Sequence, residues 1–269
     1  MNFRQTELLR TVRERGFLAI EDIAQRFEVT PQTIRRDVNA LARDGLVRRY
    51  HGGVAPASGA ENVSYDARQT LLLPEKQRIA AAVAEHIPDR ASLFINLGTT
   101  TEAVAAALSG HTGLRVITNN LNVASVLCTN PSAEVVIAGG VVRGRDRGVT
   151  GEATIDFIRQ FKVDFGIIGI SGIDDDGTLR DFDYREVRVT QAILAHSRRV
   201  FLAADHSKFG REALVELGHA GQLDALFTDA APPEGITALL QEAGVRTVVA
   251  SASSPRGPSG DDQPSERTP

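Results

Sequence analysis

The N-terminal region spaces its apolar residues as three short amphipathic helices do. The predicted helices span residues 3–15, 21–28 and 31–44. Their inward faces carry the apolar residues Leu8, Leu9, Val12, Ile23, Ala24, Phe27, Ile34, Val38 and Leu41. Thr30 can cap the third helix, and Pro31 suits its first turn. Gly16 and Gly45 follow the first and third helices and end them.

A short hairpin is predicted after the third helix. Residues 46–49 and 53–55 can pair across His51–Gly52. A helix, a tight turn, a second helix and a hairpin together describe a winged helix-turn-helix, whose last helix enters the major groove of DNA.

Downstream of residue 75, continuous apolar runs alternate with helical stretches. The runs that predict strands are 92–97, 115–118, 134–138, 165–170, 200–204, 225–228 and 246–250. The predicted helices are 75–87, 102–109, 121–128, 152–161, 184–197 and 234–243. Strands that are buried on both faces read as continuous apolar runs, so this pattern predicts an α/β domain with a mainly parallel sheet.

Four segments follow from these patterns. We predict a winged helix-turn-helix domain over residues 1–57, a linker over 58–74, an α/β domain over 75–250 and a disordered tail over 251–269. The linker lacks clear periodicity, and the tail is poor in apolar residues.

The composition favours a protein of the cytoplasm. No apolar run approaches the roughly 18 residues that a membrane span needs, and the N-terminal residues are too polar for a signal peptide. The single cysteine, Cys128, excludes an internal disulfide and fits a reducing compartment. Cys128 lies in an apolar helical stretch, so we expect a buried, structural thiol. We expect no metal and no cofactor.

Charge is distributed unevenly along the chain. Residues 1–54 hold 10 Arg and 7 acidic residues, whereas the remainder holds 20 basic and 27 acidic residues. A basic module on an acidic body suits a DNA-binding protein. The alternative is a small helical domain whose arginines are merely solvated, since Arg is the usual basic residue in this chain.

The recognition helix and the hairpin supply the candidate DNA contacts. These are Thr30, Gln32, Thr33, Arg35, Arg36, Asn39, Arg48, Arg49 and His51. Gln can make two hydrogen bonds to adenine and Arg two to guanine in the major groove. The basic residues of the hairpin suit phosphate or minor-groove contacts.

Polar clusters follow five of the predicted strands. In a parallel sheet such clusters meet at the carboxyl edge, where ligands bind. The candidate effector-binding residues are Gly98, Thr99, Thr100, Asn119, Asn120, Gly139, Gly140, Asp174, Glu186, Asp205 and Lys208.

The chemistry of two clusters suits a phosphate group. Gly98 allows close backbone approach, and Thr99–Thr101 lie at a helix N-terminus, which favours anions. Lys208 adds a positive charge and is one of only three lysines. Each cluster alone also has a purely structural interpretation. Gly98–Thr100 could serve only as a helix cap, and Gly139–Gly140 only as a turn.

The stretch EDIAQRFEVTPQTIRRDVNALARDGLVRRYHGG closely resembles the N-terminal domain of DeoR-type repressors. The resemblance covers about residues 5–235 and implies a DNA-binding repressor with a sensor domain similar in fold to ribose-5-phosphate isomerases. It assigns Gly98–Thr100 and Asp205–Lys208 to a phosphate-binding pocket. The family often has Asp where this chain has Asn96.

Within the family, LGTTTEAVAAAL and DHSKFGREALV are most similar to members that control glycerol use. That similarity implies glycerol 3-phosphate as the effector and genes of glycerol metabolism as targets. It also implies operator DNA and a homo-oligomer, a dimer or a tetramer, as partners.

Two alternatives to this interpretation exist. A repressor could answer another sugar phosphate, with selectivity set by residues such as Asn120, Arg143, Asp174 and Glu186. An isomerase would need a carboxylate at the substrate carbon, and Asp174, Asp181, Asp183 and Glu186 are candidates. We expect a non-enzymatic sensor and assign no catalytic residue.

Overall fold

The computed structural model describes residues 2–15, 17–44, 46–50, 52–56 and 65–250. The expected tail, residue 57 of the expected DNA-binding domain, residues 58–64 of the expected linker, and the residues Met1, Gly16, Gly45 and His51 lie outside the described residues.

The N-terminal domain is a winged helix-turn-helix. Its helices are α1 (Phe3–Arg15), α2 (Ile20–Arg26) and α3 (Pro31–Arg43), and its strands are β1 (Leu18–Ala19), β2 (Val47–Tyr50) and β3 (Gly53–Pro56). The strands form an antiparallel sheet in the order β1-β3-β2. The three predicted helices and the wing, the β2–β3 hairpin, are confirmed. β1 was not predicted because two residues are too short to show a period.

Local interactions fix where the recognition helix α3 begins and which way it faces. The Thr30 side chain caps α3 by accepting a hydrogen bond from the backbone N–H of Thr33. Ile34 and Val38 are fully buried, so the same turns leave polar side chains outside. Asp37 is also buried, and it accepts hydrogen bonds from Arg4 and Gln5 of α1.

The second domain alternates strands and helices. Its helices are α4 (Tyr65–Thr70), α5 (Leu73–Ala84), α6 (Thr99–Ala107), α7 (Leu121–Leu127), α8 (Glu152–Ile158), α9 (Tyr184–Ala195) and α10 (Glu234–Glu242). Its strands are β4 (Ser92–Ile95), β5 (Arg115–Thr118), β6 (Glu134–Ile137), β7 (Val141–Arg143), β8 (Gly148–Thr150), β9 (Val163–Ile168), β10 (Gly172–Ile173), β11 (Thr178–Asp181), β12 (Ser197–Ala203), β13 (Val215–His219), β14 (Ala225–Thr228) and β15 (Arg246–Val249).

Seven strands form one parallel sheet, in the order β15-β14-β12-β9-β4-β5-β6. All seven correspond to predicted strands, so the mainly parallel α/β architecture is confirmed. The chain runs from β4 outward to β6 and then returns to β9 on the other side of β4. Such a reversal opens a crevice at the carboxyl ends of the two central strands.

Helices cover both faces of this sheet. Leu93 and Ile95 of β4 pack with residues of α5, α6 and α7, whereas Phe94 packs with residues of α8, α9 and α10. Successive side chains of a strand point to opposite faces of the sheet, so each strand contributes to the buried core on both faces. A separate core lies within the winged helix-turn-helix. No described helix has the length and apolarity that crossing a membrane requires.

The structure departs from the sequence prediction in short, polar elements. β10, β11 and β13 form a small antiparallel sheet, and β7 pairs with β8 as a hairpin. Neither was predicted. The expectation of a buried thiol was wrong, since Cys128 is exposed. α7 ends at Leu127, so Cys128 occupies its C-cap and faces outward.

Candidate functional site

A pocket opens at the carboxyl ends of β4 and β9, where the chain reverses direction across the sheet. Its walls come from the loops that follow these strands, from the start of α6, and from residues of four further segments. The lining residues are Arg68, Leu97, Gly98, Thr99, Thr100, Gly169, Ile170, Ser171, Asp181, Glu186 and Lys208. The predicted residues Gly98, Thr99, Thr100, Glu186 and Lys208 thus lie together.

One end of the pocket is built to receive an anion. Gly98 caps α6 with a φ of +145°, a conformation that L side chains rarely adopt. The N–H groups of the first helical turn have no intrahelical acceptors, and they carry the positive end of the helix dipole. Thr101 donates to the carbonyls of Asn96 and Gly98, which holds the turn in shape.

Two cations adjoin this helix terminus. Lys208 follows β12, and its ammonium lies 3.9 Å from the Asp205 carboxylate. Burial lowers the pKa of Lys208 to about 8, although Asp205 opposes the shift. Burial also disfavours ionised Asp205, but Lys208 and the Ser207 hydroxyl hold its pKa below the ordinary value. Arg68 of α4 lines the same pocket.

Two carboxylates, Asp181 and Glu186, also line the pocket. Burial raises the pKa of Glu186 to about 7, and the neighbouring Asp181 acts in the same direction. Burial likewise raises the pKa of Asp181, which accepts a hydrogen bond from the Ser171 hydroxyl. The Arg143 guanidinium lies 2.7 Å from the Glu186 carboxylate. These carboxylates can accept hydrogen bonds from the hydroxyl groups of a ligand.

Arg143 ties the β7–β8 hairpin to α9. Its guanidinium forms ion pairs with Asp146 at 2.6 Å and with Asp183 at 2.6 Å, besides the contact with Glu186. Arg143 therefore orients Glu186 toward the pocket.

Lys76 was missed by the sequence analysis. It lies in α5, is 3% exposed, and donates a hydrogen bond to the carbonyl of Arg68. Burial lowers the pKa of Lys76 to about 7, and the nearby Lys208 ammonium adds to this effect. Lysine is rare in this chain, which has only three. Two of them, Lys76 and Lys208, are close enough to interact, so the rarity of lysine could have drawn attention to Lys76. Arg68 gave no such signal, since it lies in an aperiodic segment.

Other predicted effector residues have structural partners around the pocket. Asn120 caps α7 and donates to Glu102, which also accepts a hydrogen bond from Tyr65 of α4. Asn119 donates to the carbonyl of Val149. These contacts hold the loop after β5 against α6 and β8.

The structure does not bring Gly139, Gly140 or Asp174 to the pocket. The Gly139 carbonyl accepts a hydrogen bond from Thr154 of α8, and Gly140 turns tightly against the same side chain. Asp174 forms an ion pair with Arg180 in the β10–β11 hairpin. Asn96, which stands where the family often has Asp, is buried and accepts a hydrogen bond from the backbone N–H of Gly169.

The candidate DNA contacts divide into two groups. On α3, the side chains Gln32, Arg35, Arg36 and Asn39 are exposed, whereas Thr33 is half-buried and Thr30 acts as the helix cap. On the wing, Arg49 donates to Asn39 at 2.8 Å and so joins the recognition helix to β2.

Arg48 points away from this surface. It donates to the carbonyl of Gly210 in the second domain, at 3.0 Å.

Both domains match known families. The DeoR-like helix-turn-helix domain matches residues 4–58, and the DeoR C terminal sensor domain matches residues 73–230. The chain belongs to the DeoR family. A DeoR helix-turn-helix joined to a DeoR sensor domain makes it a DNA-binding transcriptional repressor rather than an enzyme.

Several DeoR-family relatives are similar over nearly the whole chain. The glycerol-3-phosphate regulon repressor of Escherichia coli (strain K12) is 49% identical over 239 residues, which cover 89% of this chain and 95% of that protein. The protein of the same name from Haemophilus influenzae is also 49% identical, covering 92% of this chain and 96% of its own. The HTH-type transcriptional repressor CsqR of E. coli is 40% identical, with 92% and 95% covered.

Solved structures that are similar to part of the chain include ribose-5-phosphate isomerases. Ribose 5 phosphate isomerase A from Neisseria gonorrhoeae is 16% identical, with a TM-score of 0.36, and the match covers 50% of this chain and 52% of that one. Within the described residues, no group of three or more His, Cys, Asp or Glu side chains is placed to hold a metal ion.

Proposed function

We propose that this DeoR-family repressor controls genes of glycerol or glycerol 3-phosphate use, and that glycerol 3-phosphate releases it from operator DNA. The observation that carries the proposal is the pocket at β4 and β9, which is lined by an anion-binding helix terminus, by two cations and by two carboxylates. Relatives that are named for the glycerol-3-phosphate regulon support the identity of the effector.

The chemistry of the pocket matches the two ends of glycerol 3-phosphate. The phosphate suits the backbone N–H groups at Thr99 and Thr100, together with the side chains of Lys208 and Arg68. The hydroxyl groups suit the carboxylates of Asp181 and Glu186, which are strong acceptors. Asp205 positions Lys208 rather than meeting the ligand.

DNA recognition is assigned to residues 1–57 and effector sensing to residues 75–250. Gln32, Arg35, Arg36 and Asn39 read the major groove, and Arg49 supports the wing. Since helix-turn-helix proteins bind paired half-sites as dimers, we propose that a homo-oligomer in the cytoplasm binds the operator.

Titration calorimetry with the purified protein tests the choice of effector. We expect tight binding of glycerol 3-phosphate and far weaker binding of glycerol and of fructose 1-phosphate. Glycerol lacks the phosphate, and fructose 1-phosphate carries a larger carbon skeleton. Tighter binding of fructose 1-phosphate would contradict the proposal and assign the pocket to another sugar phosphate.

Selection of DNA fragments from a random pool tests the repressor mechanism. The purified protein should enrich one sequence, the operator, and glycerol 3-phosphate should weaken that complex. An unchanged operator Kd at saturating glycerol 3-phosphate would contradict release by this effector.

A further inference from the structure

The wing of the DNA-binding domain rests on the loop that supplies Lys208 to the pocket. Arg48 of β2 donates to the carbonyl of Gly210, only two residues beyond Lys208. The wing strand β2 and the loop 206–211 together enclose a cleft of about 210 Å³. The same short loop therefore forms part of the pocket wall and part of the surface that the wing contacts.

Arg211 connects the two sides through a single side chain. It is 5% exposed, and its guanidinium donates to the carbonyl of Ser171, a pocket residue, at 3.1 Å. Arg211 and Tyr50 of the wing line the same cleft, where the Tyr50 hydroxyl favours the charged guanidinium. The guanidinium lies 5.0 Å from the centre of the Phe182 ring. Burial lowers the pKa of Arg211, whereas Tyr50 and Asp181 oppose that shift.

The loop is held too tightly to absorb a movement of Lys208. The N–H of Arg211 donates to the carbonyl of Lys208 at 3.3 Å, and the N–H of Gly210 donates to the carbonyl of Ile173 at 2.8 Å. A Cβ at Gly172 would lie 1.9 Å from the carbonyl oxygen of Arg211, so the two backbones are in direct contact. A displacement of Lys208 toward a ligand is thus passed to Arg211.

A second segment that reaches the pocket also contacts the N-terminal domain. Leu71 packs, as Tyr50 does, against the buried pair Phe17 and Ala55. Leu71 directly follows α4, which carries Arg68 into the pocket. The N-terminal domain therefore contacts two segments, each of which presents a cation to the same pocket.

We propose that Arg211 is the positioning residue that couples occupancy of the effector pocket to the orientation of the wing. The proposal rests on the proposed function and adds its means of regulation. Arg211 interacts with Ser171 on the pocket side and with Tyr50 on the wing side. A phosphorylated ligand that contacts Lys208, Ser171 and Asp181 changes the surroundings of Arg211. The preferred orientation of the wing against the sensor domain then changes.

The substitution Tyr50→Phe tests this coupling with the smallest change. It removes the hydroxyl that meets Arg211 and keeps the ring, which packs edge-on against Phe17 at 6.2 Å. The measured quantity is the factor by which saturating glycerol 3-phosphate raises the operator Kd. We expect Tyr50→Phe to reduce this factor at least fivefold, while the Kd for glycerol 3-phosphate without DNA changes less than twofold.

Tyr184→Phe is the matched control. Its hydroxyl also accepts a hydrogen bond from an arginine, Arg188, but on an exposed part of α9. The control should keep the wild-type factor. Arg211→Lys is the second variant, since a lysine keeps the charge but cannot bridge two partners in a plane. A wild-type factor in both Tyr50→Phe and Arg211→Lys would overturn the proposal.

A further measurement separates the coupling from the choice of effector. If the wild-type protein does not bind glycerol 3-phosphate, the proposed function fails, and inorganic phosphate serves as the probe of the pocket. Amide hydrogen exchange in Val47–Tyr50 should then change on phosphate addition in the wild type and not in Tyr50→Phe. Unchanged exchange in the wild type would contradict the coupling itself.

Discussion

At the scale of single residues, the sensor pocket keeps charged groups out of water while each still has a partner. Lys208 has Asp205 at 3.9 Å, and Glu186 has Arg143 at 2.7 Å. A buried charge is costly alone, so removing one member exposes the other to that cost. A ligand with a phosphate and hydroxyl groups supplies partners to both pairs at once.

The first prediction concerns Lys208. Lys208→Ala should raise the Kd for glycerol 3-phosphate by about 10- to 100-fold, because a charge-assisted hydrogen bond contributes about 1.5–3 kcal/mol. Operator binding without effector should stay unchanged. Lys162→Ala is the control, since the third lysine lies before β9, at the opposite edge of the sheet. Wild-type affinity in Lys208→Ala would remove this residue from the site.

The second prediction concerns pH. Burial lowers the pKa of Lys208 to about 8, so about half of these side chains are uncharged at pH 8. A bound phosphate favours the ammonium, so binding at pH 8 should take up about half a proton per site. The Kd should rise about tenfold from pH 7 to pH 9, because the cation is lost as the pH passes through that pKa. The charged groups that interact with this ammonium are Asp205, Arg211, Arg68, Asp181 and Lys76.

Calorimetry in two buffers with different heats of ionisation measures the proton uptake. Lys208→Arg provides the control, because a guanidinium stays charged throughout this range. The variant should bind with a flatter pH profile. Equal proton uptake by the variant and the wild type would assign the titration to another group.

At the scale of elements, α3 owes its function to its first turn and its exposed face. Thr30 caps the helix, Pro31 begins it, and buried Ile34 and Val38 turn Arg35 and Arg36 outward. The same residues that fix the helix therefore decide which side chains can reach DNA.

Arg35→Ala should weaken operator binding. If Arg35 contacts a phosphate, the salt dependence of log Kd should fall by about one unit of slope; if it contacts guanine, base preference at one position should relax. Arg10→Ala is the control variant. Arg10, like Arg35, is an exposed arginine that forms an ion pair with a glutamate: Arg10 with Glu7, and Arg35 with Glu21. Unchanged affinity, slope and base preference in Arg35→Ala would contradict the assigned face of α3.

The cap itself can be tested through stability. Thr30→Ala should lower the free energy of unfolding of the N-terminal domain by about 1 kcal/mol, since the N–H of Thr33 loses its side-chain acceptor. Thr6→Ala removes an equivalent side chain from an exposed position within α1 and should have little effect. Equal effects of the two substitutions in denaturant unfolding would exclude a capping role.

Continuous apolar runs predicted every strand of the large sheet. The five inner strands are mostly buried on both faces, and the edge strands β6 and β15 carry apolar runs although they are partly exposed. Apolar runs did not predict β10 or β13, since β10 has two residues and the β13 sequence Val215–His219 is mostly polar or half-exposed. Polar clusters after strands predicted Gly98–Thr100 and Lys208 in the pocket. Arg68 and Ser171 reach it only through the tertiary fold, which no local pattern encodes.

At the scale of the whole molecule, the two domains have separate cores and a contact that is partly polar and partly apolar. The N-terminal core includes Leu8, whereas Leu93 belongs to the core of the sensor domain. The hydrogen bond of Arg48 with Gly210, the interaction of Arg211 with Tyr50 and the packing of Leu71 join the domains without merging the cores. Such a contact can transmit a change of orientation while each domain keeps its own stability.

This arrangement predicts two thermal unfolding transitions, of which the effector shifts one. Leu8→Ala should destabilise the N-terminal domain alone, and Leu93→Ala the sensor domain alone, each by about 2–5 kcal/mol, so scanning calorimetry of these variants assigns the transitions. Glycerol 3-phosphate at about 100 times its Kd should stabilise the sensor domain by about 2.7 kcal/mol. Its transition should rise by roughly 5–10 °C, while the N-terminal transition moves far less. A single transition that both substitutions shift would mean that the interface binds the domains into one cooperative unit.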